Sequence, residues 1–105
     1  MPNNKPHVSP RVRVVQKLYA NSLNSEVVIE YPKSQYKKFI KDVVEGTIER
    51  NDLINETVSK YLSKDLDLKR TDKLVKIIIY AAIFELTFKH NNPTKVIINE
   101  YVKTS

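Results

Sequence analysis

The sequence predicts an all-α protein, and three of its features indicate this class. Only one Gly occurs among the 105 residues, whereas β-rich folds of this size usually need more Gly at their turns. Apolar residues recur at intervals of three and four, which is the spacing of one helix face. Ser-Pro and Asn-Pro pairs precede two of these segments, as is typical of helix starts. The length suits one domain over residues 1–105.

The first predicted helix begins at Ser9 and Pro10, as N-cap and first helical residue. One face of this helix is apolar and predicted to pack inward. The opposite face presents three polar side chains, Arg13, Gln16 and Lys17. Arg11 lies near the apolar side in the first turn, and we expect its long side chain to reach solvent past the helix end.

The next segments predict a connection and two further helices. Residues 21–33 predict the connection, because a Pro ends their short apolar run. Helical spacing returns from Ser34, and Gly46 interrupts that helix, which indicates a close contact with a neighbouring helix. The polar run 49–52 predicts a break before a third helix, whose apolar stripe includes Leu53, Ile54, Thr57, Val58, Tyr61 and Leu62.

A helix over about residues 73–89 is predicted to be central, because it is apolar on nearly every side. Thr71 and Asp72 are both candidates for its N-cap. Glu85 interrupts the apolar pattern, which leaves three alternatives. Glu85 lies where the helix emerges from the core, it accepts hydrogen bonds from a neighbouring helix terminus, or it binds a partner.

The last segment, NPTKVIINE, has features of both a strand and a helix start. Its β-branched residues favour a strand, whereas Asn92 as cap and Pro93 at the first position favour a helix. The helix-rich context favours a helix with its β-branched run facing the core. We expect Asn99 and Glu100 to order the helices rather than to contact a ligand.

The charge distribution allows two interpretations, a phosphate-bearing partner or a solvated surface. Eighteen Lys and Arg stand against 12 Asp and Glu, giving a net charge of +6. No acidic residue precedes Glu26, whereas four basic ones do: Lys5, Arg11, Arg13 and Lys17. Such a segment is typical of nucleic-acid binding. Charge alone slightly favours the alternative, a solvated helix face with a loose tail, in which residues 1–8 are expected to be disordered.

No pattern predicts an enzyme, a metal site or a cofactor. Cys is absent, which excludes a disulfide framework and a thiolate nucleophile and fits a cytoplasmic location. His7 and His90 lack metal-ligand spacing, and a single Gly cannot build a phosphate-binding loop. The longest apolar run, Ile77 to Phe84, is far shorter than the roughly 20 residues of a membrane span.

Two stretches follow one another in the second half of the chain, KLVKIIIYAAIFEL and NPTKVIINEYV. They resemble the NusB family of bacterial transcription antitermination factors, in which Glu-Leu ends the central helix. A loop with Pro then precedes Lys-Val and Ile-Asn-Glu. RVRVVQKLY is similar to the family's Arg-rich first helix, and VVEGTIERNDLINETVSKYLS fits its middle helices, Gly46 included. The resemblance covers most of the chain apart from residues 24–33.

The resemblance implies an all-α fold of two three-helix subdomains, the second of them incomplete here. It implies a non-enzymatic factor that pairs with the ribosomal protein NusE, binds boxA RNA and acts indirectly on the RNA polymerase elongation complex. The matching RNA-binding positions, with their basic neighbours, are Lys5, Arg11, Arg13, Gln16 and Lys17. Tyr61 is placed where its ring could stack on an unpaired base, and Tyr19 on the side facing NusE.

Three departures from the family pattern modify this expectation. Lys5 to Val8 replace several arginines, which predicts weaker phosphate binding. Val75 occupies a position at which an acidic residue helps to hold NusE, and Tyr80 replaces a frequent Arg. The family continues beyond Ser105 with a further helix. If Ser105 is the natural end, we expect exposed apolar surface around Ile97, Tyr101 and the central helix, which leaves a homo-oligomer open.

Two other functions are kept as alternatives. One is a NusB-like N-terminal domain of a ribosomal RNA methyltransferase, whose catalytic domain lies outside this sequence. The other is a helical protein-binding adaptor without RNA binding. The smaller number of basic residues ahead of the first helix favours this alternative.

Overall fold

The computed structural model of the protein describes residues 9–61, 72–89 and 93–104. These ranges contain five helices and no strand: α1 (Pro10–Leu23), α2 (Lys37–Glu49), α3 (Asn51–Tyr61), α4 (Lys73–Phe88) and α5 (Thr94–Thr104). The predicted all-α class is confirmed, and so are the connection after α1 and the break between α2 and α3 at Arg50.

Local side chains set the helix starts. Ser9 Oγ accepts a hydrogen bond from the Arg11 N–H at 3.2 Å, with a Pro at the first helical position, as predicted. Asp72 caps α4, because its carboxylate accepts from the Leu74 N–H at 3.0 Å. Each cap pairs an N–H that has no partner within its own helix.

The start of α5 differs from the prediction by one residue. Pro93 precedes the first helical residue, Thr94, and its carbonyl oxygen accepts from the N–H groups of Val96 and Ile97 at 3.0 and 3.1 Å. Pro93 therefore takes the capping position itself, because a capping residue contributes its carbonyl and needs no N–H. Asn92, the predicted cap, lies outside the described residues.

Helix α4 is central, as predicted, because it contacts each of the other four helices. The core around it is formed by Val14, Val15, Leu18, Ile40, Val43, Val44, Ile54, Val58, Ile78, Tyr80, Ala81, Phe84, Ile97 and Tyr101. Three expected members of the α3 stripe are absent from it, since Leu53 and Tyr61 are exposed and Thr57 is only half-buried. Leu62 lies outside the described residues.

Gly46 lies buried where α2 crosses α4. A Cβ atom at this position would overlap the Phe84 ring. The predicted close helix contact is confirmed, and it explains why a residue that weakens helices stands inside one.

Helix α5 turns only part of its β-branched run inward. Ile97 and Tyr101 are buried, whereas Val96 and Ile98 are more than two-fifths exposed. The expectation that the whole run faces the core is wrong, because a helix returns to the same face only every three to four residues. Around α5 and the start of α4, the exposed apolar side chains are those of Leu74, Val75, Val96, Ile98 and Val102, rather than those of Ile97 and Tyr101.

Asn99 is exposed and Glu100 is half-buried. The expectation that Asn99 orders the helices is therefore wrong, since an exposed amide has solvent for its partners. Glu100 lies close enough to Arg11 for its charge to contribute to raising the pKa of that guanidinium. Of the two residues, only Glu100 takes part in interactions between helices.

Candidate nucleic-acid interface

The polar face of α1 points outward because Val14, Val15 and Leu18 fix the opposite face in the core. Arg13 and Gln16 are exposed, and within the described part of the chain their side chains have no hydrogen-bond or ion-pair partner. An arginine offers several N–H donors in a planar fork that matches a phosphate. This face therefore presents unused donors to solvent.

Lys17 belongs to the same polar face, but its ammonium group is already engaged. Its Nζ donates to the Glu30 carbonyl at 2.6 Å and lies 5.4 Å from the centre of the Tyr31 ring. Tyr31 in turn donates its hydroxyl to Glu45 at 2.5 Å. Lys17 thus anchors the connection between α1 and α2, and only part of its charge faces solvent.

Arg11 lies in the interior, so the expectation that its guanidinium reaches solvent is wrong. The residue is 7% exposed. Its Nε donates to Glu85 Oε1 at 3.0 Å, and its second guanidinium N–H bonds to Glu85 Oε2. The Tyr101 hydroxyl donates to the same carboxylate at 2.9 Å. We call Arg11, Glu85 and Tyr101 the buried cluster.

The buried cluster explains why Glu85 stands in an apolar helix. Glu85 is 0% exposed, and a buried carboxylate is unfavourable unless it is paired and hydrogen-bonded. Arg11 supplies the charge and Tyr101 a further donor, so three helices meet at one satisfied carboxylate. Of the alternatives for Glu85, hydrogen bonding to a neighbouring helix terminus is the one observed.

The protonation states of the buried cluster follow from its contacts. Burial lowers the pKa of Arg11, but the hydrogen bond and charge of Glu85 outweigh burial, so the net pKa is raised. Burial, with the charge and hydrogen bond of Glu85, raises the pKa of Tyr101. Arg11 therefore stays cationic and Tyr101 neutral at ordinary pH.

Tyr61 lies on a different surface from the α1 cations. Helix α3 contacts α2 and α4 but not α1. Tyr61 is 66% exposed, and Lys60 Nζ lies 5.3 Å from the centre of its ring. Tyr61 lines a groove of about 310 Å³ together with Leu53, Lys60, Ile83 and Phe88, which we call the α3–α4 groove.

The α3–α4 groove contains residues that the sequence reasoning missed. Phe88 is 39% exposed, and the Arg50 guanidinium carbon lies 4.4 Å from the centre of its ring. Aromatic rings beside cations are typical of surfaces on which unpaired bases stack. The sequence did carry a signal, because Arg50 is the basic residue of the polar run 49–52 that separates α2 from α3.

The remaining predicted positions divide in two. Tyr19, assigned to a protein partner, is 37% exposed on α1. Lys5 lies outside the described residues, as do His7 and His90.

No helix of the described ranges has the length and apolar character to cross a membrane. In the same ranges no three acidic or His side chains form a group that could hold a metal ion.

The chain matches the family model described as "NusB family" over residues 8–105. It is 34% identical over 74 residues to transcription antitermination protein NusB of Thermodesulfovibrio yellowstonii, which covers 70% of this chain and 48% of that protein. The protein of that name from Caulobacter vibrioides is 27% identical, with 86% and 60% covered. The protein of that name from Allorhizobium ampelinum is 30% identical, and the match covers 96% of this chain and 78% of that protein.

The chain thus spans 48% and 60% of the length of the first two of these relatives. No solved structure matches it.

Proposed function

Because this chain belongs to the NusB family, we propose that it is an RNA-binding transcription antitermination factor that works by binding rather than by catalysis. Relatives that carry the name transcription antitermination protein support this proposal. The proposed ligand is boxA-type RNA, the proposed protein partner is the ribosomal protein NusE, and the elongating RNA polymerase is engaged indirectly.

The observation that supports RNA binding most is the outward face of α1. Arg13 and Gln16 offer donors that no group of the described chain uses. Phosphate contacts by such side chains supply much of the affinity of RNA-binding proteins. Lys17 adds charge beside them, although its ammonium group also holds the Glu30 carbonyl.

The α3–α4 groove is the proposed site for bases. Tyr61 and Phe88 offer exposed ring faces, with Lys60 and Arg50 beside them. A base must leave its stack to reach such a ring, so single-stranded RNA suits the groove better than a duplex. Phosphates bound on α1 and bases bound in the groove together favour an extended strand as ligand.

Arg11 has a positioning role in this proposal. Its guanidinium is bound to Glu85 in the interior and is almost fully shielded from solvent, so it is not placed to contact a strand outside. It fixes α1 against α4 and α5, and thereby fixes the face that carries Arg13. Tyr19, half-exposed on the same helix, remains the proposed contact for NusE.

Fluorescence anisotropy with a labelled boxA-type RNA, with and without NusE, tests the proposal. We expect affinity to fall as salt rises from about 50 to about 200 mM, and Arg13→Gln to reduce the salt slope by about 0.7 for one lost single-strand phosphate contact. Lys38→Gln, at an exposed position on α2, is the matched control and should leave the slope unchanged.

Two outcomes would contradict RNA binding. The absence of salt-dependent RNA binding under either condition removes the proposed function. NusE binding without any RNA affinity selects the adaptor instead, which the internal engagement of Arg11 and Lys17 favours.

A further inference from the structure

A second concave site lies at the other end of α1 and α4, away from the α3–α4 groove. It is a cleft of about 420 Å³, bounded by the last turn of α1, the end of α2, the start of α3 and the first two turns of α4. We call it the α1–α4 cleft. Its volume lies within the range of about 300 to 1,000 Å³ that small-molecule sites occupy.

Thr47 is the feature of this cleft that points to a ligand. It lines the cleft and is 4% exposed. Its Oγ1 is buried and has no hydrogen-bond partner within the described part of the chain. Buried hydroxyls are nearly always paired, because an unpaired one destabilises the fold. The oxygen lies just below the cleft surface, and rotation about χ1 would turn it toward a ligand atom, which would then supply the missing partner.

The cleft also holds an amide that the fold has already oriented. The Tyr80 hydroxyl donates to Asn55 Oδ1 at 2.5 Å. This bond uses the carbonyl end of the Asn55 side chain and leaves its two N–H donors for another acceptor. Asn21 and Asn51 line the same cleft and bring further amide donors and acceptors.

The charge of the α1–α4 cleft is positive. Lys73 and Lys76, in the first turns of α4, line it, and no carboxylate lines it among the described residues. The neighbouring acidic residue, Asp72, uses its carboxylate to cap the Leu74 N–H. The N-terminus of α4 adds the positive end of the helix dipole. Lysines and helix dipole together favour an anionic ligand.

The lining also includes apolar side chains. Leu18, Ile48 and Ile77 contribute aliphatic surface, which suits the face of a planar ring. A nucleotide matches this lining. Its phosphate suits the positive side of the cleft, the polar edges of its base suit the amides, and its ring face suits the aliphatic side chains. We propose that the α1–α4 cleft binds a nucleoside monophosphate, with its phosphate at Lys73 and Lys76 and its base at the amides and Thr47.

This proposal stands apart from RNA binding, because none of its residues belongs to the α1 face or to the α3–α4 groove. Calorimetric titration of the full chain with the four nucleoside monophosphates tests it. We expect at least one to bind saturably. The matching nucleoside, and inorganic phosphate alone, should bind at least ten-fold more weakly, because each fills only half of the site.

Two substitutions locate the ligand. Lys76→Gln should weaken binding about ten-fold, which is the loss of one charge-assisted hydrogen bond. Thr47→Val keeps the shape and removes the hydroxyl, so affinity should fall about five-fold while the fold, followed by circular dichroism, is retained. Lys38→Gln on the exposed side of α2 is the matched control and should bind like the unmodified chain.

Three results would overturn the proposal. They are no saturable binding of any nucleoside monophosphate, equal affinity for inorganic phosphate and nucleotide, or equal effects of Lys76→Gln and Lys38→Gln. The second result would leave a simple anion site in place of a nucleotide site.

Discussion

The two polar regions along α1 and α4 differ in how completely their groups are paired. In the buried cluster, both Glu85 carboxylate oxygens accept from Arg11, and one of them also accepts from the Tyr101 hydroxyl. In the α1–α4 cleft, the Thr47 hydroxyl has no hydrogen-bond partner among the described residues, and Lys73 and Lys76 line the open space. Satisfied polar groups fix a structure, whereas unsatisfied ones are available to a ligand.

The difference follows from where the elements end. Near Glu85, the first turn of α1 and the body of α5 cover α4 and supply a cation and a hydroxyl. Near Lys73, α4 begins beside the last turn of α1, and fewer of the described residues are placed to close the gap. One pair of packed helices thus carries a rigid polar contact at one end and an open polar cleft at the other.

The largest expected effect comes from breaking the buried cluster. Arg11→Met leaves the Glu85 carboxylate buried without its cation, so the free energy of unfolding should fall by about 3–5 kcal/mol. Urea unfolding followed by circular dichroism measures it. The control is Lys89→Met, which removes a half-exposed ion pair with Asp42 of 3.1 Å and should cost at most about 1 kcal/mol. Equal losses in the two variants would contradict the role of the cluster.

A double variant refines the same test. Replacing Arg11 by Met and Glu85 by Leu together removes both charges while keeping apolar volume, so most of the loss should return. The bond from the Tyr101 hydroxyl to Glu85 is lost in this variant, and a deficit of about 1 kcal/mol should remain. A double variant as unstable as Arg11→Met would show that volume rather than charge matters there.

The next largest effect is expected between the two regions, where Gly46 meets Phe84. Gly46→Ala places a Cβ inside the space of a ring that is itself buried. The overlap should cost about 1–3 kcal/mol, although Ala in an open helix position gains about 1 kcal/mol. Unfolding by urea decides the sign, and a stabilised variant would show that Phe84 can move aside.

A smaller effect of opposite sign is expected in the α1–α4 cleft. Thr47→Val removes a buried hydroxyl that has no hydrogen-bond partner among the described residues, so the free energy of unfolding should rise by about 1 kcal/mol. Thr57→Val is the matched control, because the Thr57 Oγ1 donates to the Leu53 carbonyl at 3.0 Å. This variant should not gain stability. If both variants change the free energy of unfolding equally, the Thr47 hydroxyl does not destabilise the folded state.

The sequence alone predicted what local chemistry determines. Ser9 and Asp72 cap helices through bonds to residues two positions away, and Gly46 was recognisable because Gly is unusual inside a helix. The bond from Arg11 to Glu85 joins positions separated by 74 residues, and no local rule predicts such a pair. A signal existed nonetheless, since each charge lies near the apolar side of its own helix and their signs are opposite.

The candidate sites were predictable only in part for a related reason. Helical spacing placed Arg13 and Gln16 on an outward face, which needs only the period of α1. Tyr61 was assigned without knowing that α3 does not contact α1. The α1–α4 cleft depends on four elements meeting and on one hydroxyl lacking a partner. Such a site is a property of packing that periodicity does not contain.

The smallest expected effect separates the two regions at alkaline pH. Tyr101 and Tyr80 both have a pKa raised above the ordinary 10.0, Tyr101 by burial and by Glu85, Tyr80 by burial. Above about pH 10 the unfolded chain loses tyrosine protons that the folded chain keeps. The unfolded state then binds fewer protons, so the free energy of unfolding falls as pH rises, and below pH 10 this contribution is fully present.

Urea unfolding between about pH 9 and about pH 11 measures this slope. Tyr101→Phe should flatten the fall more than Tyr80→Phe, because only Tyr101 shares its site with a buried carboxylate that opposes a second negative charge. Equal flattening by the two variants would mean that burial alone acts on both rings. The electrostatic distinction between the satisfied cluster and the open cleft would then fail, even if the Arg11 variants lose stability as expected.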